Sequence, residues 1–211
     1  MKTRLSFNHA FTLIEMLTVM VVIAILASLI LSVNAFAQKK AGMTRAEAEM
    51  KTMSAACESY KAEAGGYPRE SAVSDTLDPR LDGDATSLKY QNGSLVIYKA
   101  LSGDADLNGR AKEKGYCEFN PNQLQKDSSG KIKFLKDPFG NSYGYSTAGA
   151  ALEETYRQKV QQNPAEPRPT GKDLKGFNPT FDLWSTGGVI TKATGSPDAL
   201  DADRKRWVKN W

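Results

Sequence analysis

The sequence predicts an α+β fold in which one long N-terminal α-helix, apolar all round in its first half and amphipathic in its second, packs on a small antiparallel β-sheet. Three observations carry that prediction. From Met16 to Gln38 no residue is charged, and a helix needs roughly 20 apolar residues to cross the hydrocarbon core of a bilayer. Past Lys39 and Lys40, the residues Met43, Ala46, Met50, Met53, Cys57, Tyr60 and Ala64 recur at alternating three- and four-residue steps, which sets them on one helical face. Beyond Gly65-Gly66 and Tyr67-Pro68, which end the pattern, short apolar runs separated by Gly, Pro, Asn and Asp predict strands and turns.

The first element therefore runs from Thr12 to Ala64, its segment 11–38 forming a membrane span and its remainder belonging to a globular domain over 39–211. At 211 residues and 40% hydrophobic, the chain has room for one such span and one domain of ordinary size. Lys2 and Arg4 precede the span. Because positive charge stays cytoplasmic, the domain is exported. Residues 69–93, rich in Asp, Ser, Gly and Pro, predict a loop. Leu95 to Leu101 fits a short helix capped by Gly103 or a buried strand, and the cap favours the helix. Tyr116 to Phe119 alternates as a strand does. Lys131 to Leu135 and Asn141 to Ser146 flank the turn-rich Asp137-Pro138-Phe139-Gly140-Asn141 and predict a hairpin. Within 150–176, Leu152 to Val160 has helical character before Pro164, Pro167 and Pro169 open an extended loop. Phe181 to Ser185 is a last strand, broken by Gly187-Gly188.

Composition excludes several functions. Of 28 Lys and Arg, Lys2 and Arg4 fall in the first ten residues, leaving 26 cations against 24 acids, a balance that does not point to nucleic acid. The single histidine is His9, so histidine triads and histidine metal sites are excluded from the remainder. No Ser/His/Asp set, phosphate loop or CxxC is present, and the chain is not expected to be an enzyme. Glu15 stands out as a carboxylate just inside the apolar edge. Such a group is either a tolerated interfacial acid or has a partner and a role. A partner arises if the chain is cut between Ala10 and Phe11, since the new α-amino group of a neighbouring copy's Phe11 would then neutralise Glu15 in lipid.

The short basic leader, Phe11-Thr12-Leu13-Ile14-Glu15 and the apolar helix behind it resemble the type IV pilin and pseudopilin superfamily. The resemblance implies a pilin-like fold and removal of residues 1–10 by a prepilin peptidase that cleaves between Ala10 and Phe11. It also implies N-methylation of Phe11 and an assembly role for Glu15. Ala10 stands where the family most often has Gly, and Ser32 where many members have a helix-bending Pro, so the helix here should be straighter. A rival reading takes Ala35-Phe36-Ala37 as an ordinary signal-peptidase site, but the apolar run exceeds the usual 7–15-residue h-region and the helical pattern continues through that cut.

Tyr60 to Pro68, the Asp137 to Asn141 turn, Phe181 to Ser185 and the final Asn210-Trp211 resemble the major pseudopilin of type II secretion, with Phe139 in place of a Trp. The resemblance covers the first 68 residues and three later islands. It implies a single-pass inner-membrane protein with a periplasmic domain, assembling with copies of itself, an inner-membrane assembly platform and minor pseudopilins into a helical filament that drives protein export. A type IV pilus subunit or a minor pseudopilin is the neighbouring alternative. A membrane-anchored binding module that never polymerises is the alternative of another class.

The resemblance also implies calcium in the C-terminal loop, held by backbone oxygens, a Ser like Ser185 and an acidic pair. That pair falls here on Arg206 and Trp207. Asp198, Asp201 and Asp203 are oxygen ligands of the type calcium takes, but Arg204, Lys205 and Arg206 follow at once and repel a cation, which favours a solvated charged loop. Cys57 and Cys117 are the only cysteines. On the oxidising side of a membrane they form a disulfide, or else they pack as two buried thiols, and the sequence leaves both open.

Overall fold

The computed structural model describes residues 12–192 and 197–211, apart from the side chains at 29–35 and 197. It is an α+β fold with a long N-terminal helix and small antiparallel sheets. The chain divides into two compact units, Met1–Ala41 and Gly42–Trp211; the charge pattern set its own boundary at residue 39.

Helix α1 spans Leu13–Ala64. Within the second unit its predicted face is buried at Ala46, Met50, Met53 and Cys57, with Tyr60 packed at the edge of the same cluster. Ala64, placed on that face by spacing, is exposed, because the helix ends there. Gly65 takes the left-handed conformation (φ 78°) and its N–H donates to the Lys61 carbonyl at 2.8 Å, the usual way a glycine closes a helix.

Helix α2, Leu88–Ser102, starts earlier than expected and converts the end of the predicted 69–93 loop into its first turns. Ser87 caps it by accepting from the Tyr90 N–H, and Gly103 closes it at φ 70°. What hid its beginning was Gly93, a residue unfavourable in a helix interior. Here it is required, since a Cβ at that position would come within 2.9 Å of the Tyr145 carbonyl oxygen. The helix thereby lies backbone to backbone against a strand.

Strands β1 (Leu124–Lys126) and β2 (Ile132–Leu135) form one antiparallel pair. Strands β3 (Gly144–Ser146), β4 (Asp182–Ser185) and β5 (Val208–Lys209) form a second sheet in that order, with Tyr145 opposite Leu183 and Ser185 opposite Val208. The predicted hairpin between 131–135 and 141–146 is thus corrected: only the bridge Lys136 to Ser142 joins the two runs, and β3 pairs with β4 instead. The predicted strand at Tyr116 to Phe119 is irregular chain, because the N–H groups of Tyr116 and Cys117 are spent on the Leu101 carbonyl and not on a neighbouring strand. Helix α3 covers Ala148–Gln162, including the predicted 152–160. The expected charged loop near the C-terminal end is partly a short helix, α4, Pro197–Arg204.

Two apolar clusters hold the second unit. The larger joins Met50, Met53 and Cys57 of α1 to Ile97 and Leu101 of α2, Ile132 and Leu135 of β2 and Leu183 of β4. The smaller surrounds Trp184 with Leu77, Tyr90, Leu200 and Trp207. Each Leu, Ile or Met side chain among them, fully buried, contributes about 1.5–3 kcal/mol.

Candidate functional site

The residues singled out for function begin where α1 begins. Thr12 and Glu15 bond reciprocally: the Thr12 N–H and hydroxyl each donate to Glu15 Oε2 at 2.8 Å, and the Glu15 N–H donates to Thr12 Oγ1 at 3.3 Å. This is a capping box, in which each side chain satisfies an otherwise unpaired backbone donor of the first turn. The pattern Thr-x-x-Glu that announces it stands in the sequence. Glu15 therefore has a partner within its own helix, made of uncharged donors. Ala10 and Phe11, where cleavage and methylation are expected, lie outside the described residues.

Behind the cap, the large apolar side chains at 13–26 are 50–83% exposed. A helix apolar on every side is stable only when covered by lipid or by other protein, and a contiguous exposed apolar surface of this extent marks an interaction site. Among the described residues no helix is long and apolar enough to cross a membrane. The expected span over 11–38 includes residue 11 and the side chains at 29–35, which are outside the described set, and what remains ahead of them is shorter than the roughly 20 residues a crossing requires.

Three of the four residues named as possible calcium ligands are engaged elsewhere. Ser185 donates its hydroxyl to Asp137 Oδ2 at 2.6 Å. Asp203 accepts from Thr191 Oγ1 at 2.6 Å and pairs with Arg206, while Asp201 pairs with Arg204. Asp198 is exposed in the first turn of α4. The structure thus gives the two carboxylates cationic partners three residues on, and among the described residues no three acidic, histidine or cysteine side chains are grouped to hold a metal ion.

Asp137 organises the turn between β2 and β3. It is 3% exposed, its Oδ1 accepts the N–H groups of Phe139 and Asn141 at 2.9 Å each, and burial pushes its carboxyl above the ordinary range. The turn aims Phe139 at two glycines. A Cβ on Gly42 of α1 would stand 3.0 Å from the ring, and one on Gly188 would stand 3.2 Å from it. Asn210 closes the other end of the sheet: its Oδ1 accepts from the Leu183 N–H at 3.0 Å and its Nδ2 donates to the Phe181 carbonyl at 3.2 Å. Trp211 stacks on Phe177 with centroids 4.6 Å apart. Both islands are thus structural fasteners.

One loop escaped the sequence reading. Asp104-Ala105-Asp106-Leu107-Asn108-Gly109 has the acid and glycine spacing of the first six positions of a calcium loop. Its twelfth position, a bidentate acid in such loops, is Gly115. Asp104 accepts from the Tyr98 hydroxyl at 2.8 Å and from the N–H groups of Asn108 and Gly109, and Asp106 pairs with Lys112. The loop is closed by partners of its own.

Cys57 and Cys117 are both free thiols, Cys57 buried and Cys117 half-buried against the same cluster. Three surface grooves, such as that between Arg69, Glu153, Glu154 and Arg157, carry none of the predicted site residues except Cys117.

No curated protein and no solved structure matches the chain. Residues 5–31 match the model of the prokaryotic N-terminal methylation motif, which encloses both the expected cut at Ala10 and the Thr12–Glu15 cap. That motif is typical of type IV pilins and pseudopilins, which are structural and membrane-anchored, and it indicates a pilin-like precursor processed by prepilin peptidase.

Proposed function

We propose that the chain is a structural subunit of a type II secretion pseudopilus. The observation that carries this reading is a methylation motif laid over a capped helix whose apolar surface has no cover of its own. With residues 1–10 on the cytoplasmic side of the inner membrane and the domain in the periplasm, the apolar run is held by lipid until the assembly platform extracts it. Copies of the same helix then replace the lipid.

Cleavage between Ala10 and Phe11 creates an α-amino group on Phe11, which remains a cation after methylation. In the isolated subunit Glu15 accepts from two uncharged Thr12 donors. A neighbouring Phe11 ammonium supplies what those donors lack, an opposite formal charge, and pairing with it removes both charges from an apolar surrounding. One such head-to-tail contact, repeated without closing, generates a helical filament. Minor pseudopilins would occupy its end, and its growth would drive export across the outer membrane. The Asp137 turn and the Asn210-Trp211 ending support the secretion branch over the surface pilus.

Glu15→Ala is expected to leave folding and membrane insertion intact and to abolish incorporation into filaments, read by crosslinking between copies through α1. Normal incorporation of that variant would sink the proposal. Mass spectrometry of the mature N-terminal peptide is expected to find methylated Phe11; a mature chain starting at Gln38 would show ordinary signal-peptidase processing instead.

A further inference from the structure

Two thiols border one apolar cluster where the chain before β1 is fastened to α1. Cys57 is 0% exposed on the buried face of α1, and Cys117 packs against the same apolar cluster. The segment carrying Cys117 is anchored on both sides. The N–H groups of Tyr116 and Cys117 donate to the carbonyl of Leu101, itself a member of that cluster, at 2.7 and 3.0 Å. The Tyr116 ring meets the Tyr60 ring edge-on at 5.4 Å, its hydroxyl donates to Glu63 at 3.0 Å, and Lys114 pairs with the same carboxylate. Tyr60 follows Cys57 by three residues, so the two are neighbours on one helical face. The contacts that seat Tyr116 on Tyr60 therefore hold the segment of Cys117 against the part of α1 that carries Cys57. Burial, then Glu58, then Cys117 itself push the Cys57 thiol up to about 12.

We propose that Cys57 and Cys117 are joined by an intramolecular disulfide once the domain meets an oxidant of the thiol–disulfide exchange class. The proposal rests on the export reading above only for where that oxidant is met. The thiolate of Cys117, the less buried of the two, attacks one sulfur of the oxidant's disulfide, whose own S–S bond breaks to release a thiolate. The Cys57 thiolate then attacks the Cys117 sulfur of this mixed disulfide and displaces the oxidant as a dithiol. Two electrons and the two cysteine protons pass to the oxidant. Because burial keeps Cys57 protonated in the folded domain, the second attack belongs to folding, before the α1 face is sealed. The bond straps the globular part of α1 to the segment before β1 and restricts the unfolded chain.

The test uses the full chain in detergent, reduced and unfolded in urea, then refolded in a glutathione redox buffer, quenched in acid and alkylated in urea. The expected product is a monomer two hydrogens lighter that takes no alkyl group until reductant is added and then takes two. Cys57→Ser and Cys117→Ser should each leave one thiol open to alkylation. The oxidised chain should also show an unfolding equilibrium constant roughly 10²-fold lower than the reduced chain. Two alkyl groups on the wild type without reductant, or a disulfide-linked dimer, would overturn the proposal. A chain that bridges in the redox buffer yet is isolated from cells with both thiols reduced would uphold the bond and overturn the export reading instead.

Discussion

One helix, α1, behaves as two different objects along its length. At 13–26 its large apolar side chains are at least half exposed, whereas Ala46, Met50, Met53 and Cys57 further along are 0–4% exposed. The difference lies in the pattern of residues around the helix. Where charged residues such as Arg45, Glu49, Lys51 and Glu58 occupy the other faces, one apolar stripe is enough for the rest of the chain to cover. Where every face is apolar, no single domain can wrap the helix, and its cover must come from lipid or from other helices.

The sharpest way to break this comparison is to truncate one residue in each half and measure urea unfolding of the full chain in detergent. Met53→Ala should destabilise the domain by about 2–5 kcal/mol, the usual cost of a large-to-small change in a packed core, while Val22→Ala should leave domain unfolding within about 0.5 kcal/mol of wild type. Equal losses at the two positions would mean that the apolar half is part of the domain core. Gly93→Ala, which sets a methyl against the Tyr145 carbonyl, should cost about 1–3 kcal/mol by overpacking in the same unfolding measurement.

The smallest effect concerns pH. Asp182 is buried, which pushes its carboxyl up to about 6, against the lowering influence of hydrogen bonds from the Phe177 and Asn178 N–H groups. A raised carboxyl pKa means that the folded chain binds the proton before the unfolded one does. The ionised group is therefore a cost above pH 6, and that cost is relieved as pH falls through 6 toward the ordinary carboxylate range. Between pH 7 and 5 the contribution of Asp182 to stability should rise by on the order of 1 kcal/mol. Urea unfolding of wild type against Asp182→Asn at the two pH values checks it; the gap between them should shift by that amount in favour of wild type at pH 5.

Much of the fold was legible in the residues, though unevenly. The stripe from Ala46 to Cys57 repeats often enough for a 3.6-residue period to be unmistakable, and Gly65 and Gly103 announced the ends of α1 and α2. The Thr12–Glu15 cap was equally legible as Thr-x-x-Glu. The start of α2 was hidden by Gly93, whose place in a helix makes sense only once Tyr145 is seen against it. Near the C-terminal end, α4 sets Asp201 beside Arg204 and the turn that closes it sets Asp203 beside Arg206, pairings that depend on a helix the loop-like composition did not reveal.

From the sequence alone came the long helix, the division of its faces and the motif at its start, because charge and periodicity along one helix are local properties of consecutive residues. The tertiary structure decided which strands pair. Strands of two to four residues carry too little alternation to specify partners, and β3 joins β4, far along the chain, because Tyr145 and Leu183 bury together against α1 and α2 in one cluster.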